Sequence, residues 1–537
     1  MEVLMSLRMS LRRFVPIAAA ALLTATLVIV PTPVPAQAQE MLDPAHNIAL
    51  PCESVSTPGL VPRTARDLQH VANVCGFVGT DLEFQSRVDA SGRTRDYVFL
   101  GTMGAGLRIF DVTDPSHPTF AGAYTDPGWQ NDVQVRGDVA VIGFDPISGT
   151  APTASLCLRA KGASGGEDIV RLVYDGATGT FDTELMACVS HSPGGGAHNS
   201  TLHPGGSWLA VSNPRGHGSV DVVDLGGTVP VFRYRIVQNG TLLHANCTLP
   251  APARCVSTGR DGTWSPHDIH FSRDGRTMYV AAVGNDTVLL DVRNVLAGSV
   301  GLISVIPNDR NSDGGVAADP HDISISHQSD VTADGRILVV TDERGGGVQE
   351  TSCNTDPNGI IGGAHFWALG AIAGQLASQG ASPATPKRLG AWFYPGPPLA
   401  PDPLDATLRG LAPFGRPERG CTIHVLRIGG NGSSSPGPAL SNLDGVSRLS
   451  SRQFSVAHYG AGVWLVDFSK PSSSNDLIAE NPRTTWGNTI GWNVLPGADT
   501  WSGKEYKGFV YAGDMARGFD VFRITPCVAS ACKKKDN

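Results

Sequence analysis

The chain has 537 residues and a formal net charge of −8. Apolar residues make up 41% and charged residues only 17%, with 64 Gly and 38 Pro. That balance supports a buried core but speaks against helical bundles and coiled coils, and the negative charge speaks against nucleic acid or an acidic membrane as partner.

Residues 1–38 read as a secretory signal. Arg8, Arg12 and Arg13 form the basic start, Phe14–Val30 the apolar centre, and Ala36-Gln37-Ala38 a small-x-small cleavage site. The competing reading is an uncleaved membrane anchor; no later apolar stretch approaches a spanning length. The expected mature chain starts near Gln39 and is secreted, extracellular or held at the cell surface, with no membrane span once the signal is removed. Residues 39–69 read as an irregular arm, 70–526 as the folded body, and 527–537, with Lys533–Lys535, as a solubilising tail.

From Tyr97 onwards one phrase recurs seven times: an apolar strand, a tight turn, then a strand that usually ends in Asp. The copies start at Tyr97, Val139, Leu209, Tyr279, Leu338, Phe454 and Val510. Repeated hairpins of this kind predict an all-β fold, a seven-bladed β-propeller. No outer strand follows the last hairpin, FDVFRI. The segment His70–Gly79 has the apolar content to supply it, so an N-terminal strand is expected to complete the last blade and close the ring. Long insertions interrupt the blades at Pro146–Glu167, Gly226–Ser265, Arg344–Ala364 and Gly370–Gly420; Ala368–Gly380 can form one short helix. Such insertions are either binding surfaces for an unknown protein or small molecule, or tolerated decoration.

Ten cysteines, an even number, fit an oxidising compartment. Locality suggests pairing Cys247 with Cys255, Cys527 with Cys532, Cys157 with Cys188, and Cys353 with Cys421, leaving Cys52 for Cys75. Metal ligation or free thiols are the alternative, but no CxxC pair is present.

Each hairpin is preceded by a candidate innermost strand. Aligned on apolar alternation, these strands place Thr80, Asn131, His198, His267, His321 and His424 in one column. In the seventh blade the best match, Thr489–Pro496, offers no His. Imidazoles from four consecutive blades converging on the axis repel one another if protonated. A divalent metal relieves this by taking neutral nitrogens at about 2.0–2.2 Å. The set suits a transition metal (Fe, Cu, Zn or Ni) better than Mg or Ca. The competing reading is a structural His–carboxylate network that pins blade to blade. Asp81, Asp132, Asn199, Asp268 and Asp322 follow the column and are expected to accept hydrogen bonds from backbone or neighbouring blades. Glu343 can serve as an acceptor that orients a His. His203, His270, His327 and His458 fall outside the column and are expected to pack. No serine or cysteine nucleophile motif, P-loop or dinucleotide fingerprint is present.

The phrase GLRIFDVTDPSHPTFAGAY resembles the LVIVD repeat, a propeller motif of secreted and surface bacterial proteins. PHDISIS, VVTDERGGG, AHYGAGVWLVDFSKP and YAGDMARGFDVFRI extend the resemblance over most of the chain. It implies the fold but assigns no activity. Members of the family carry a Cys-x-x-His where this chain has Cys421-Thr422-Ile423-His424, which supports His424 as a column residue. In plan, axial histidines on a propeller are also similar to carotenoid cleavage oxygenases and selenium-binding-protein-type thiol oxidases, although none of their longer motifs occur here. The first functional reading is thus an exported binding or scaffold module with an axial metal. A metal-dependent oxidoreductase using the same site is the second, and a metal-dependent hydrolase the third.

Overall fold

The computed structural model describes residue 52 and residues 62–129, 132–145, 154–191, 196–214, 218–238, 254–258, 264–284, 286–308, 323–344, 362–396, 420–430, 447–473 and 481–525. Residues 1–38, read as a signal, and residues 527–537, read as a tail, lie outside these residues.

The described strands form seven sheets, each a blade of at least four antiparallel strands. Blade 1 runs Val78–Val88, Thr94–Met103, Gly106–Asp111 and Thr119–Tyr124 from the axis outwards. The innermost strands of blades 2 to 6 are Val133–Arg136, Asn199–Leu202, Asp268–Phe271, Ser326–Val331 and Leu426–Ile428. The innermost strand of blade 7 is Thr500–Tyr506, not the segment Thr489–Pro496. Most of that segment belongs to Trp486–Val494, which pairs with Val463–Pro471 as an outer strand of blade 6.

The hairpin strands are nearly continuous apolar runs because both of their faces are buried. In Thr277–Ala281, Val280 packs into the seam with blade 3 and Tyr279 into the seam with blade 5. An apolar cluster fills each of the seven seams in this way. Burial on both sides couples every blade to its two neighbours and leaves the axis to the polar inner strands.

The ring closes as the sequence predicts. Leu68–Val74 pairs antiparallel with Gly518–Ile524 and completes blade 7. The chain joins the ring ahead of residue 70, because Thr64–Arg66 also pairs with the outer strand of blade 6. Two glycines allow the junction with blade 1: a Cβ at Gly79 would lie 2.1 Å from the Gly518 carbonyl, and one at Gly513 would lie 1.9 Å from that of Thr80.

Disulfides join Cys52 to Cys75 and Cys157 to Cys188. Cys255 and Cys421 are also disulfide-bonded; the other four cysteines lie outside the described residues. Within Ala368–Gly380 the only helical element is the 3-10 turn Leu376–Ser378. Among the described residues no helix is long and apolar enough to cross a membrane.

Candidate metal centre

The start of each inner strand faces the same end of the ring as the end of the second strand.

Here stand His198, His267 and His424. Their backbone N–H groups occupy the same ladder position, donating to the carbonyls of Ser212, Ala281 and Ala457 respectively. His321 lies outside the described residues. The column position of blade 5 belongs instead to His327, which was expected to pack elsewhere. Its strand starts only at Ser326, and a bulge between Ser326 and Ser329 turns His327 towards the axis. The four rings follow one another around the axis. Ring centroids are 4.0 Å apart for His198 and His267, and 4.4 Å apart both for His267 and His327 and for His327 and His424.

Each imidazole is oriented by its surroundings. His424 donates from Nδ1 to the Trp501 carbonyl at 2.5 Å, which selects the tautomer with its lone pair on Nε2. His198 places Nδ1 2.9 Å from the Asp145 carboxylate and Nε2 2.7 Å from Nε2 of His267. Glu343, 5% exposed, reaches the pair on the far side. One of its oxygens lies 3.8 Å from Nε2 of His327 and the other 3.7 Å from Nε2 of His424. Burial, then the neighbouring imidazoles, holds His267 and His327 well below the usual imidazole range, so both are neutral. Neutral nitrogens are what a metal takes. His267, His327 and Glu343 bring their ligand atoms within 4.8 Å of one another, a group that could hold a metal ion.

Trp501 holds the column place in blade 7, its ring 4.5 Å from that of His424. It belongs to an apolar cluster with Tyr459, Met103, Met515 and Trp129. His198 and His267 are only partly buried, so the cluster opens on their side.

The positions one step further along the strands behave as expected. Asp132 accepts from the Ser200 amide at 2.5 Å, Asp268 from the Ile269 amide at 2.6 Å, and Asp81 from the Lys504 ammonium at 2.9 Å. Asn199 instead donates, to the His267 carbonyl. Asp322 lies outside the described residues; Gln328 holds that position in blade 5 and exchanges two hydrogen bonds with the Leu426 backbone. His203, His270 and His458 pack away from the column, on Trp208, Asp268 and the Cys421 carbonyl respectively.

The competing reading has support as well: His198 itself joins blade 3 to Asp145 of blade 2, and a fully buried His–carboxylate pin stands at His191. It bridges Glu167 of blade 2 and Asp221 of blade 3.

Residues 86–126, most of blade 1, match the model of the LVIVD repeat. No curated protein matches the chain. Among solved structures, the chain is similar to the Cps50 (Swd1) β-propeller domain of Myceliophteria thermophila, at 8% identity over 85% of this chain and 100% of that one, with a TM-score of 0.45. It is also similar to a periplasmic gluconolactonase of Pseudomonas aeruginosa, at 12% identity over 84% of this chain and 94% of that one, with a TM-score of 0.43.

Proposed function

We propose that this LVIVD-repeat propeller is exported and binds one transition-metal ion at its axis, held by His198, His267, His327 and His424, and that it acts there as a metal-dependent oxidoreductase. The observation that carries the reading is the succession of four imidazoles from four consecutive blades, of which His267 and His327 bring ligand atoms within 4.8 Å of the buried carboxylate of Glu343. Four nitrogens with one oxygen suit Fe, Cu, Zn or Ni. The apolar wall around Trp501 and Tyr459 keeps water from one side. A small-molecule substrate or protein partner would approach on the side where His198 and His267 are partly exposed. Export rests on the reading of residues 1–38, and the disulfides are consistent with it.

The second reading, a binding or scaffold module, is favoured by the 2.7 Å contact of His198 with His267, since two imidazoles sharing one proton would tie blade 3 to blade 4 without any metal.

The test is elemental analysis of mature protein purified without chelators, beside a His267→Ala/His327→Ala variant. About one equivalent of metal, lost in the folded variant, is expected. An electron paramagnetic resonance signal that changes on adding dithionite or ferricyanide marks a redox ion. Stoichiometric zinc would shift the assignment to a hydrolase or structural site, and metal-free wild-type protein would sink it.

A further inference from the structure

This inference rests on the reading of the axial cluster as a metal centre. We infer that Glu343 is a fifth, anionic ligand of that centre, and that Tyr459 is the residue that positions it.

Glu343 sits at the end of the second strand of blade 5, where its amide donates to the Ile325 carbonyl at 3.1 Å. The returning chain crosses directly over it: a Cβ at Gly362 would lie 1.7 Å from the Asp342 carbonyl oxygen and 2.9 Å from the Arg344 nitrogen. The backbone that carries Glu343 is thereby held closely on both sides. A divalent ion among neutral imidazoles brings two positive charges into a buried place, and a carboxylate in contact halves them.

The two oxygens have different surroundings. Oε1 accepts the Tyr459 hydroxyl at 2.5 Å, a charge-assisted bond. Oε2 lies 3.8 Å from Nε2 of His327, in the group whose atoms converge. The oxygen that the tyrosine holds also lies 3.7 Å from Nε2 of His424, so the bond fixes the carboxylate with both oxygens on the side of the cluster.

Tyr459 is held for this purpose at a backbone cost. Its φ is +39°, a left-handed conformation that a bulky side chain rarely adopts. Two backbone hydrogen bonds with Thr500, at 3.1 and 3.0 Å, hold it there. Thr500 precedes Trp501, whose carbonyl orients His424. One corner of blade 7 thus sets both His424 and the tyrosine. The device recurs in blade 4. Val283, with φ +47°, exchanges two backbone hydrogen bonds with Ser326, the residue before His327. Strained residues at equivalent places, both locking a neighbour of the cluster, point to the cluster as what the strain serves.

Were all five to bind a six-coordinate ion, one position would remain, on the side where His198 and His267 are partly exposed, and a ligand binding through a single atom, such as azide, would fit it.

The test is reconstitution with Co(II), read by its visible spectrum, by competition with a chelator and by azide titration, in wild-type protein, Glu343→Gln and Tyr459→Phe. Glu343→Gln is expected to weaken Co(II) binding by about tenfold to a hundredfold, as loss of a ligand or its support does, and to change the spectrum. Tyr459→Phe keeps the ring and is expected to change the spectrum with a smaller loss of affinity, which a packing role alone would not do. Wild-type protein should take one azide. Unchanged affinity and spectrum in both variants would overturn this inference and leave the metal centre standing. Wild-type protein that binds no Co(II) would overturn the centre itself.

Discussion

His191 is fully buried, with Nε2 2.5 Å from Glu167 and Nδ1 2.9 Å from Asp221. Burial alone would push its imidazole down, but Glu167 and Asp221 outweigh it and hold the value at about 9. An unfolded imidazole releases its proton near 6.5. The stability this proton supplies is therefore fully present below about pH 6.5 and is lost as pH rises through about 9. His191→Gln removes the imidazolium from Glu167, while Asp221 keeps Arg235 at 2.7 Å; leaving the buried Glu167 without its cation is expected to cost about 3 kcal/mol at pH 6. Urea midpoints from pH 6 to 10 should show the gap to wild type narrowing with pH; a constant gap would mean that His191 is neutral. The partners lie 24 and 30 residues away in sequence, so no local pattern could mark this histidine. Of the column histidines, His198, His267 and His424 were legible because one repeat places them, whereas His327 was not; Glu343 stood out because it ends a repeat strand. Tyr459 has no such mark: its role depends on a left-handed backbone angle that sequence does not display.

Turns decide which histidines share a column. Gly206, Gly275 and Gly335 have φ of +71°, +70° and +68° and close equivalent turns after the inner strands of blades 3, 4 and 5. His198, His267 and His327 each lie eight residues before these glycines. The register was thus present in the sequence, in the phrases ending Arg-Asp-Gly-Arg and Ala-Asp-Gly-Arg. The repeated phrase Pro-His-Asp competes with it and puts His321 in the place of His327. Apolar alternation could not arbitrate, because the bulge at Ser326 breaks it where it was needed. The same bulging, between Thr500 and Ser502, obscured the inner strand of blade 7. The turn glycines give a measurable contrast. A Cβ at Gly335 meets nothing within 4 Å, so Gly335→Ala should cost only the left-handed backbone, about 1–2 kcal/mol. A Cβ at Gly275 would lie 2.2 Å from Nε2 of His203, whose ring is stacked on Trp208. Gly275→Ala should cost more, and equal urea midpoints for the two variants would refute the packing of His203 across that turn.

The ring as a whole is legible because its physics is repetitive: every hairpin needs apolar residues on both faces to fill two seams, and the sequence writes that demand seven times. Closure is less repetitive and depends on one strand. Leu68–Val74 covers the edge of Gly518–Ile524, and His70 and Asn73 reach Asp520 at 2.8 and 2.9 Å. The buried Arg517 holds Asp520 from the other side through two hydrogen bonds. Burial would raise this carboxyl, yet Arg517, then His70, keep it well below the usual carboxylate range, so it is ionised. Because Thr64–Arg66 lies on blade 6, the segment spans two blades and ties the last to its predecessor. Removing the residues up to Cys75 would open a full strand edge on blade 7, strip two hydrogen bonds from a buried carboxylate, and uncover the apolar cluster that Leu68 helps to fill. An open edge seeks another strand. The truncated chain is therefore expected to self-associate beyond the size of the full chain, with a lowered and less cooperative thermal transition, and a synthetic peptide covering residues 62–75 should restore the full chain's size. Light scattering decides it. A truncation that keeps the full chain's size and melts as wild type does, without the peptide, would show that the seams alone hold the ring shut.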